Sequence, residues 1–377
     1  MTSNLSCAGI LGTETSPAAA ALRSEFTRRG VAALTPAEAL PAWPVTVPEE
    51  TRRTRIAREG AVKAAYLDEA LKMIAGGAEV LVLTERNAAP WLAELQAELT
   101  VPVVEAGDDA AHTADRMAEA LRAGVTRPFR IGLVGGLGPA ATVDLYKKIV
   151  DATPAKNDQE HIRVLVDQNP QVPDRTEYLL NGGADPTLPL FSACRRLEAM
   201  GADLLLIPCN TAHAFLEGFG AKLRVPVLNM QRVTMESIRE KFGERAVIGL
   251  LATTGTCRTG IYADKAGETG LTLVTPEPAH QAEVMEAIYG KKGVKAGFTT
   301  GECRDSLLAA ARHLVRDKGA TVLILGCTEL PLILTENECQ DLGDGLTAAV
   351  VDPTATLARR AVQTAIESGR TPLSRAN

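Results

Sequence analysis

The stretch "CAGILGTETSPAAAALRSEFTRRGVAALTP" (7–36) runs without a gap against "VIGLLATTGTCRTGIYADKAGETGLTLVTP" (247–276). Gly9 meets Gly249, Leu11 meets Leu251, Thr13 meets Thr253, Gly30 meets Gly270 and Pro36 meets Pro276. Further on, "GGAEVLVLTERNAAPWL" (76–92) falls against "KGATVLILGCTELPLIL" (318–334). A repeat constrains the fold more than any local propensity, because whatever one copy forms the other must form too. Each copy passes from a short apolar run through an amphipathic stretch to a second apolar run, the pattern of a parallel βαβ unit. The register sets Glu85 where Cys327 stands and Arg86 where Thr328 stands. Residues 1–124 therefore read as a degenerate, non-catalytic copy of the 246–334 region.

The same alternation continues along the chain. "FRIGLVGG" (129–136), "HIRVLVDQ" (161–168), "GADLLLIP" (201–208), "VPVLNM" (225–230), "AVIGLLAT" (246–253), "LTLVTP" (271–276) and "GATVLILG" (319–326) read as strands, with helical segments between most of them. Pro139 opens one helix, a position where its missing N–H is tolerated. "RAGVTRPFR" (122–130) carries a Gly, a Pro and three Arg and reads as a linker, centred on 125–130.

A chain of 377 residues has room for two or three domains. Apolar residues make up 46% and aromatics only 4%, which suits Ala-, Leu- and Val-rich helices on parallel strands. The net charge is −6, with acids and bases interspersed and no basic run, so neither nucleic acid nor a membrane surface is an expected partner. No segment approaches the roughly 18 consecutive apolar residues of a membrane span. "MTSNLSCAGILGTETS" lacks the charged and apolar regions of a signal peptide. Seven scattered cysteines without a CxxC point to free thiols in the cytoplasm.

Two of those cysteines share a setting. "LLLIPCNTAH" (204–213) and "VLILGCTELP" (322–331) each carry an apolar strand into a cysteine, Cys209 or Cys327, ahead of a helical segment. A helix N-terminus there favours the thiolate, and the crevice beyond parallel strand ends is where ligands bind. Cysteine also packs as a small hydrophobe, and Cys7, Cys194, Cys257, Cys303 and Cys339 read that way. His213 is open to three readings: activator of Cys209, supporting donor, or plain helix residue. No ligand spacing indicates a metal.

"GGLGPA" (135–140) fits a dinucleotide fingerprint only loosely, because Pro139 removes an N–H from the turn and the first acidic candidate, Asp167, comes late. A tight turn that brings backbone close to a small anion explains the same glycines. Arg175 in "VPDRTEY" (172–178), Thr253 and Thr256 in "LLATTGTCRTG" (250–260), and Lys295 in "IYGKKGVKAG" (288–297) are candidate grips for a carboxylate. Taken singly, each cation reads as a solvated surface charge.

Together "GLVGGLGPAAT", "NPQVPDRT", "PCNTAH", "LLATTGT", "IYGKKGVKAG", "LGCTELPLIL" and "VVDPTATLA" resemble, in order, the aspartate/glutamate racemases that work without pyridoxal phosphate. The resemblance covers about residues 130–370. It implies an α/β fold of two pseudo-symmetric parallel-sheet domains facing across a cleft, 131–232 plus 346–377 and 233–345, preceded here by a third, related domain. It implies no cofactor, an amino-acid substrate, a homodimer in many members, and a two-thiol mechanism through Cys209 and Cys327. Arg175 and Lys295 match the positions that hold the side-chain carboxylate in aspartate-preferring members. Asn210, Thr211, Thr253, Thr256 and Thr328 are the accompanying donors, and Leu137 stands where members usually carry Met. Two rivals remain: a single-cysteine relative such as a maleate isomerase or arylmalonate decarboxylase, and an amino-acid-binding regulator without turnover.

Overall fold

The computed structural model describes residues 5–13, 16–41, 50–85, 90–125 and 127–371. They divide into two compact units, Met1–Pro128 and Phe129–Asn377. In the first, β1 (Cys7–Leu11), β2 (Ala32–Leu34), β3 (Val80–Leu83) and β4 (Val103–Glu105) form one sheet in the order β2-β1-β3-β4. In the second, β5 (Arg130–Gly135), β6 (Arg163–Gln168) and β7 (Leu204–Leu206) form a sheet ordered β6-β5-β7. A five-stranded sheet follows, built from β8 (Val247–Leu251), β9 (Thr272–Val274), β10 (Val322–Leu325), β11 (Asn337–Gly343) and β12 (Leu346–Val351), in the order β11-β12-β10-β8-β9. All pairings are parallel except β11 with β12. Central strands such as β3 (VLVL) and β10 (VLIL) are buried at every residue, because apolar clusters cover both faces of each sheet.

The repeat is carried into strand register. Cys7 pairs with Ala32 and Gly9 with Leu34, as Val247 pairs with Thr272 and Gly249 with Val274. Ala8 pairs with Val80 and Leu11 with Leu83, as Ile248 pairs with Val322 and Leu251 with Leu325. Gly30 and Gly270 both end a helix in the left-handed conformation, at φ 71° and 74°. One pair of positions exchanges its bulk. A Cβ on Gly12 would lie 1.8 Å from Thr84 Oγ1, whereas at the matching Ala252–Gly326 pair a Cβ on Gly326 would lie 2.8 Å from Ala252 Cβ. Glu85, at the Cys327 position, accepts hydrogen bonds from the Thr13 N–H (3.2 Å) and hydroxyl (2.9 Å). Arg86 lies outside the described residues.

Three expectations need correction. The run 225–230 is not a strand but a single bridge from Leu205 to Val227; Pro226 has no N–H to give, and Asn229 already caps the helix Met230–Phe242. The antiparallel hairpin β11–β12 has no counterpart among the expected strands. Its turn, Asp344-Gly345, has φ of 55° and 72° at its two residues, the geometry that a two-residue hairpin requires. Because β12 pairs with β10, residues 346–351 belong to the five-stranded sheet rather than with 131–232. The return to the three-stranded sheet begins with the helix Pro353–Glu367, whose Leu357 and Ala361 share a core with Ile131 and Leu133. The helix Met230–Phe242 also runs through the expected 232/233 boundary, with Met230 and Val233 in that core and Met235 and Ile238 in a core of the five-stranded half. Among the described residues no helix is long and apolar enough to cross a membrane.

The exchanged pair makes a stability prediction. Gly326→Ala sets a methyl against Leu250, Ala252 and the Leu251 carbonyl, and overpacking of this kind costs about 1–3 kcal/mol. Adding Ala252→Gly recovers part of that loss. Denaturant unfolding of the single and double variants reads both effects, and a double variant no more stable than the single would contradict the assignment.

Candidate active site

Loops leaving the C-terminal ends of β5, β6, β7, β8 and β10 enclose a small cavity between the two sheets of the second unit, with free space of about 20 Å³, roughly the room of one or two waters. From the three-stranded half come Leu137, Asp174, Arg175, Thr176, Cys209, Asn210 and Thr211. From the five-stranded half come Thr253, Tyr289, Lys295 and the run Gly326–Glu329, which includes Cys327 and Thr328. The two cysteines and the two cations thus arrive one from each half.

Arg175 is buried, at 7% exposure, and is not a solvated surface charge. It sits at the start of the helix Arg175–Asn181, capped by Asp174. Its guanidinium donates to the carbonyls of Val172 (3.3 Å), Pro173 (2.9 Å) and Leu137 (2.5 Å) and lies beside Cys209. Burial opposes its charge, yet the adjoining Cys209 holds the guanidinium above its usual value. Leu137 therefore contributes its backbone oxygen as well as its side chain.

The opposite wall is built around Glu329, buried at 3% exposure. The Cys327 thiol donates to Glu329 Oε2 at 3.0 Å, the Thr328 hydroxyl reaches the same oxygen at 3.3 Å, and Lys295 Nζ binds Oε1 at 2.6 Å. Burial first, and the Glu329 charge second, push the Cys327 thiol well above its ordinary range. Burial alone would lower the Lys295 ammonium, but the Glu329 carboxylate bound to it keeps it raised. Gly138 is glycine for this reason: a Cβ there would lie 2.1 Å from Glu329 Oε1. At φ 89°, Gly136 presses on the Asn169 backbone, 2.3 Å from where a Cβ would stand. The glycine-rich turn thus makes room for the protein's own carboxylate and backbone.

Hydroxyls bridge the halves. Thr211 Oγ1 lies 2.7 Å from Thr256 Oγ1 and 3.5 Å from Thr253 Oγ1, and the Thr176 hydroxyl donates to Thr253 Oγ1 at 3.3 Å. The Thr328 hydroxyl shares its one proton between Glu329 Oε2 (3.3 Å) and the Pro208 carbonyl (3.2 Å), and the Tyr289 hydroxyl donates to Asp174 Oδ2 (3.2 Å). Thr256 is the one expected ligand residue that does not line the cavity; its hydroxyl is spent on Thr211 and Thr253, a layer behind the wall. Residues not anticipated are Asp174, Thr176, Tyr289, Gly326 and Glu329. Each stands within a motif already singled out, but nothing in sequence says which neighbours of Arg175, Lys295 or Cys327 turn inward.

His213 resolves to a supporting role. One ring nitrogen, Nδ1, meets the Cys209 carbonyl at 3.0 Å and the other accepts the Met230 N–H at 3.3 Å. Burial holds it neutral, and neither nitrogen is left to activate a thiol. The segment after Cys327 is shorter than expected, a single 3-10 turn at Leu330–Leu332, while that after Cys209 starts as a 3-10 turn, Thr211–Phe215, and runs on into the short helix Leu216–Phe219. The single turn after Cys327 sums too few peptide dipoles to stabilise a thiolate. The charged side chains beside the sulfurs are Arg175 at Cys209 and Glu329 at Cys327.

A family model described as Asp/Glu/Hydantoin racemase matches residues 134–361. The chain is 24% identical over 243 residues to the broad specificity amino-acid racemase RacX of Bacillus subtilis (strain 168), covering 62% of this chain and 97% of that one. Among solved structures, the aspartate racemase of Picrophilus torridus superposes with a TM-score of 0.52 at 28% identity, covering 63% of this chain and 94% of that chain. An aspartate racemase homologue from Pyrococcus horikoshii OT3 matches with a TM-score of 0.50 at 22% identity, over 63% and 98% of the two chains, which speaks to the fold. All the cavity residues fall inside the matched stretch, which exceeds half of the sequence, and the chain belongs to the Asp/Glu/Hydantoin racemase family.

Proposed function

We propose that this protein racemises an acidic amino acid, aspartate before glutamate, by moving the α-proton between two sulfurs without a cofactor. The observation that carries the reading is the pairing of Cys209 and Cys327 from opposite halves in one small cavity, each beside a group of opposite charge character. The guanidinium beside Cys209 suits that sulfur to the part of the base. The carboxylate that accepts the Cys327 S–H marks it as the resting acid.

The thiolate of Cys209 takes the α-proton from one face of the substrate. The electron pair left behind spreads into the α-carboxylate, whose added charge is met by the Asn210 amide and the Thr hydroxyls. The Cys327 thiol returns a proton from the other face. Cys209 ends as thiol and Cys327 as thiolate, the state that runs the same exchange on the opposite enantiomer. Arg175 is the cation available to a side-chain carboxylate, since the Lys295 ammonium already holds Glu329 at 2.6 Å. That pairing also supports a second reading, a broader substrate range like the one in the name of the Bacillus subtilis relative. The first unit takes no part in the proposed chemistry, because Glu85 occupies the cysteine position there.

Cys209→Ser and Cys327→Ser should each lower racemisation of L- and D-aspartate by about 10²–10⁴-fold, the usual worth of one positioned acid or base. Chiral chromatography of reactions in deuterated water reads both inversion and α-deuteration. Racemisation that survives either substitution, or wild-type protein inactive on both aspartate and glutamate, would sink the proposal. Activity on neutral amino acids equal to that on aspartate would establish the broader reading.

Glu329→Gln tests the acid. Removing a negative charge beside a thiol lowers the thiol's pKa and leaves Lys295 free to face the sulfur, so both changes act in one direction. At a fixed pH below that pKa, the thiolate fraction of Cys327 grows about tenfold each time the pKa drops by one. Alkylation of Cys327 by iodoacetamide, followed by mass spectrometry at a pH of about 8, should be at least about tenfold faster than in wild type. The alkaline limb of the racemisation profile should move to lower pH. An unchanged or slower alkylation rate would contradict the assignment.

A further inference from the structure

Asn210 is buried at 2% exposure, lines the cavity, and has an amide nitrogen with no protein partner. Its amide oxygen, by contrast, is doubly engaged. The Tyr262 hydroxyl donates to Asn210 Oδ1 at 2.6 Å and Gln231 Nε2 donates to it at 3.1 Å. Gln231 Nε2 also lies 3.4 Å from the Asn210 backbone carbonyl, which fixes the direction of both amides. Reversing the pair would set Gln231 Oε1, which has no partner of its own, against that carbonyl oxygen, acceptor against acceptor. With its oxygen turned to Tyr262 and Gln231, the Asn210 amide has only its NH₂ left to face the cavity.

The two supports come from different places. Gln231 is on the helix Met230–Phe242, directly after Met230 of the three-stranded half's core. Tyr262 is on the helix Ile261–Thr269 of the five-stranded half, fully buried. Burial, then the charge of Asp352, holds its phenol protonated and so able to donate. The Tyr262–Asn210 bond therefore spans the two walls.

We propose that Tyr262 and Gln231 are positioning residues that aim the Asn210 NH₂ at the substrate α-carboxylate, with Tyr262 holding the amide from the opposite half. This rests on the racemase reading for the identity of the ligand, but not on which side chain the substrate carries, since every α-amino acid has the α-carboxylate. A donor already oriented forms its charge-assisted bond without first ordering the amide.

A double-mutant cycle on the full-length protein tests this. L-aspartate binding is measured by calorimetry, and kcat/KM by chiral chromatography, for wild type, Tyr262→Phe, Asn210→Ala and the double variant. Tyr262→Phe is expected to raise the Kd and lower kcat/KM about tenfold. In the Asn210→Ala background it should have no further effect, because Tyr262 then has nothing to aim. A merely structural tyrosine would give the same loss in both backgrounds, and that result would overturn the proposal. Gln231→Glu supplies a second route if Tyr262→Phe fails to fold. A carboxylate there accepts from the Asn210 NH₂ and turns the amide oxygen toward the ligand, so L-aspartate binding should weaken more than in Gln231→Leu. Equal losses would again overturn it. Wild-type protein that binds L-aspartate without racemising it would defeat the racemase reading alone, because the cycle is read from Kd. Wild type that binds neither L-aspartate, L-glutamate nor L-alanine would defeat this inference as well.

Discussion

The carboxylate of Glu329 sits at 3% exposure, where an unpaired charge costs several kcal/mol. Much of the second unit's architecture can be traced to satisfying it. Lys295, carried on a glycine-rich loop, neutralises one oxygen, and the Cys327 thiol and Thr328 hydroxyl donate to the other. Gly138 opens the facing turn so that the carboxylate fits. Thr328 reaches onward to the Pro208 carbonyl, next to Cys209, so the same network that holds the charge ties one wall of the cleft to the other. Removing any one partner would leave a buried polar group unmet. This is why loop, turn and strand end are specified together rather than one at a time.

The two units show how far scaffold and chemistry separate. β1–β3 and β8–β10 share register residue for residue, and their helices end on equivalent left-handed glycines. Yet the first residues beyond the strands differ. In the first unit Glu85 accepts from Thr13; in the second, Cys327 and Thr253 face a cavity. Strand pairing depends on backbone hydrogen bonds and apolar faces, which tolerate many sequences with the right pattern. A proton relay depends on single atoms, and one substitution at a strand end removes it. The exchange of Gly12–Thr84 for Ala252–Gly326 shows the scaffold itself adjusting, with the added bulk moved from one strand to its neighbour.

Much of the arrangement is legible in the residues. The period of apolar runs predicts the parallel strands, and the ungapped repeat predicts that the first unit mirrors the five-stranded half. Nine of the ten candidate residues, all but Thr256, line the cavity. The failures share a physical cause. The run 225–230 has strand composition but competes with a helix cap at Asn229, and caps are settled by geometry at a single residue. β11 is mostly polar and exposed, so no apolar period announces it, although its Asp-Gly turn is a hairpin signal. Sequence places the two cysteines at helix starts; the segment after Cys327 closes as one 3-10 turn, too short for a dipole to matter, whereas that after Cys209 runs on from a 3-10 turn into Leu216–Phe219.

By itself the sequence determined the parallel strands of the repeat and where the thiols stand along the chain, because strand period and repeat register are local properties. Only the tertiary structure decided what each thiol faces. Arg175 lies beside Cys209, Glu329 accepts from Cys327, His213 is spent on backbone, and Asn210 is held by a tyrosine from the opposite half. Those are through-space relations among groups far apart in the chain, and the charge state of a buried group depends on such neighbours rather than on its place in the sequence.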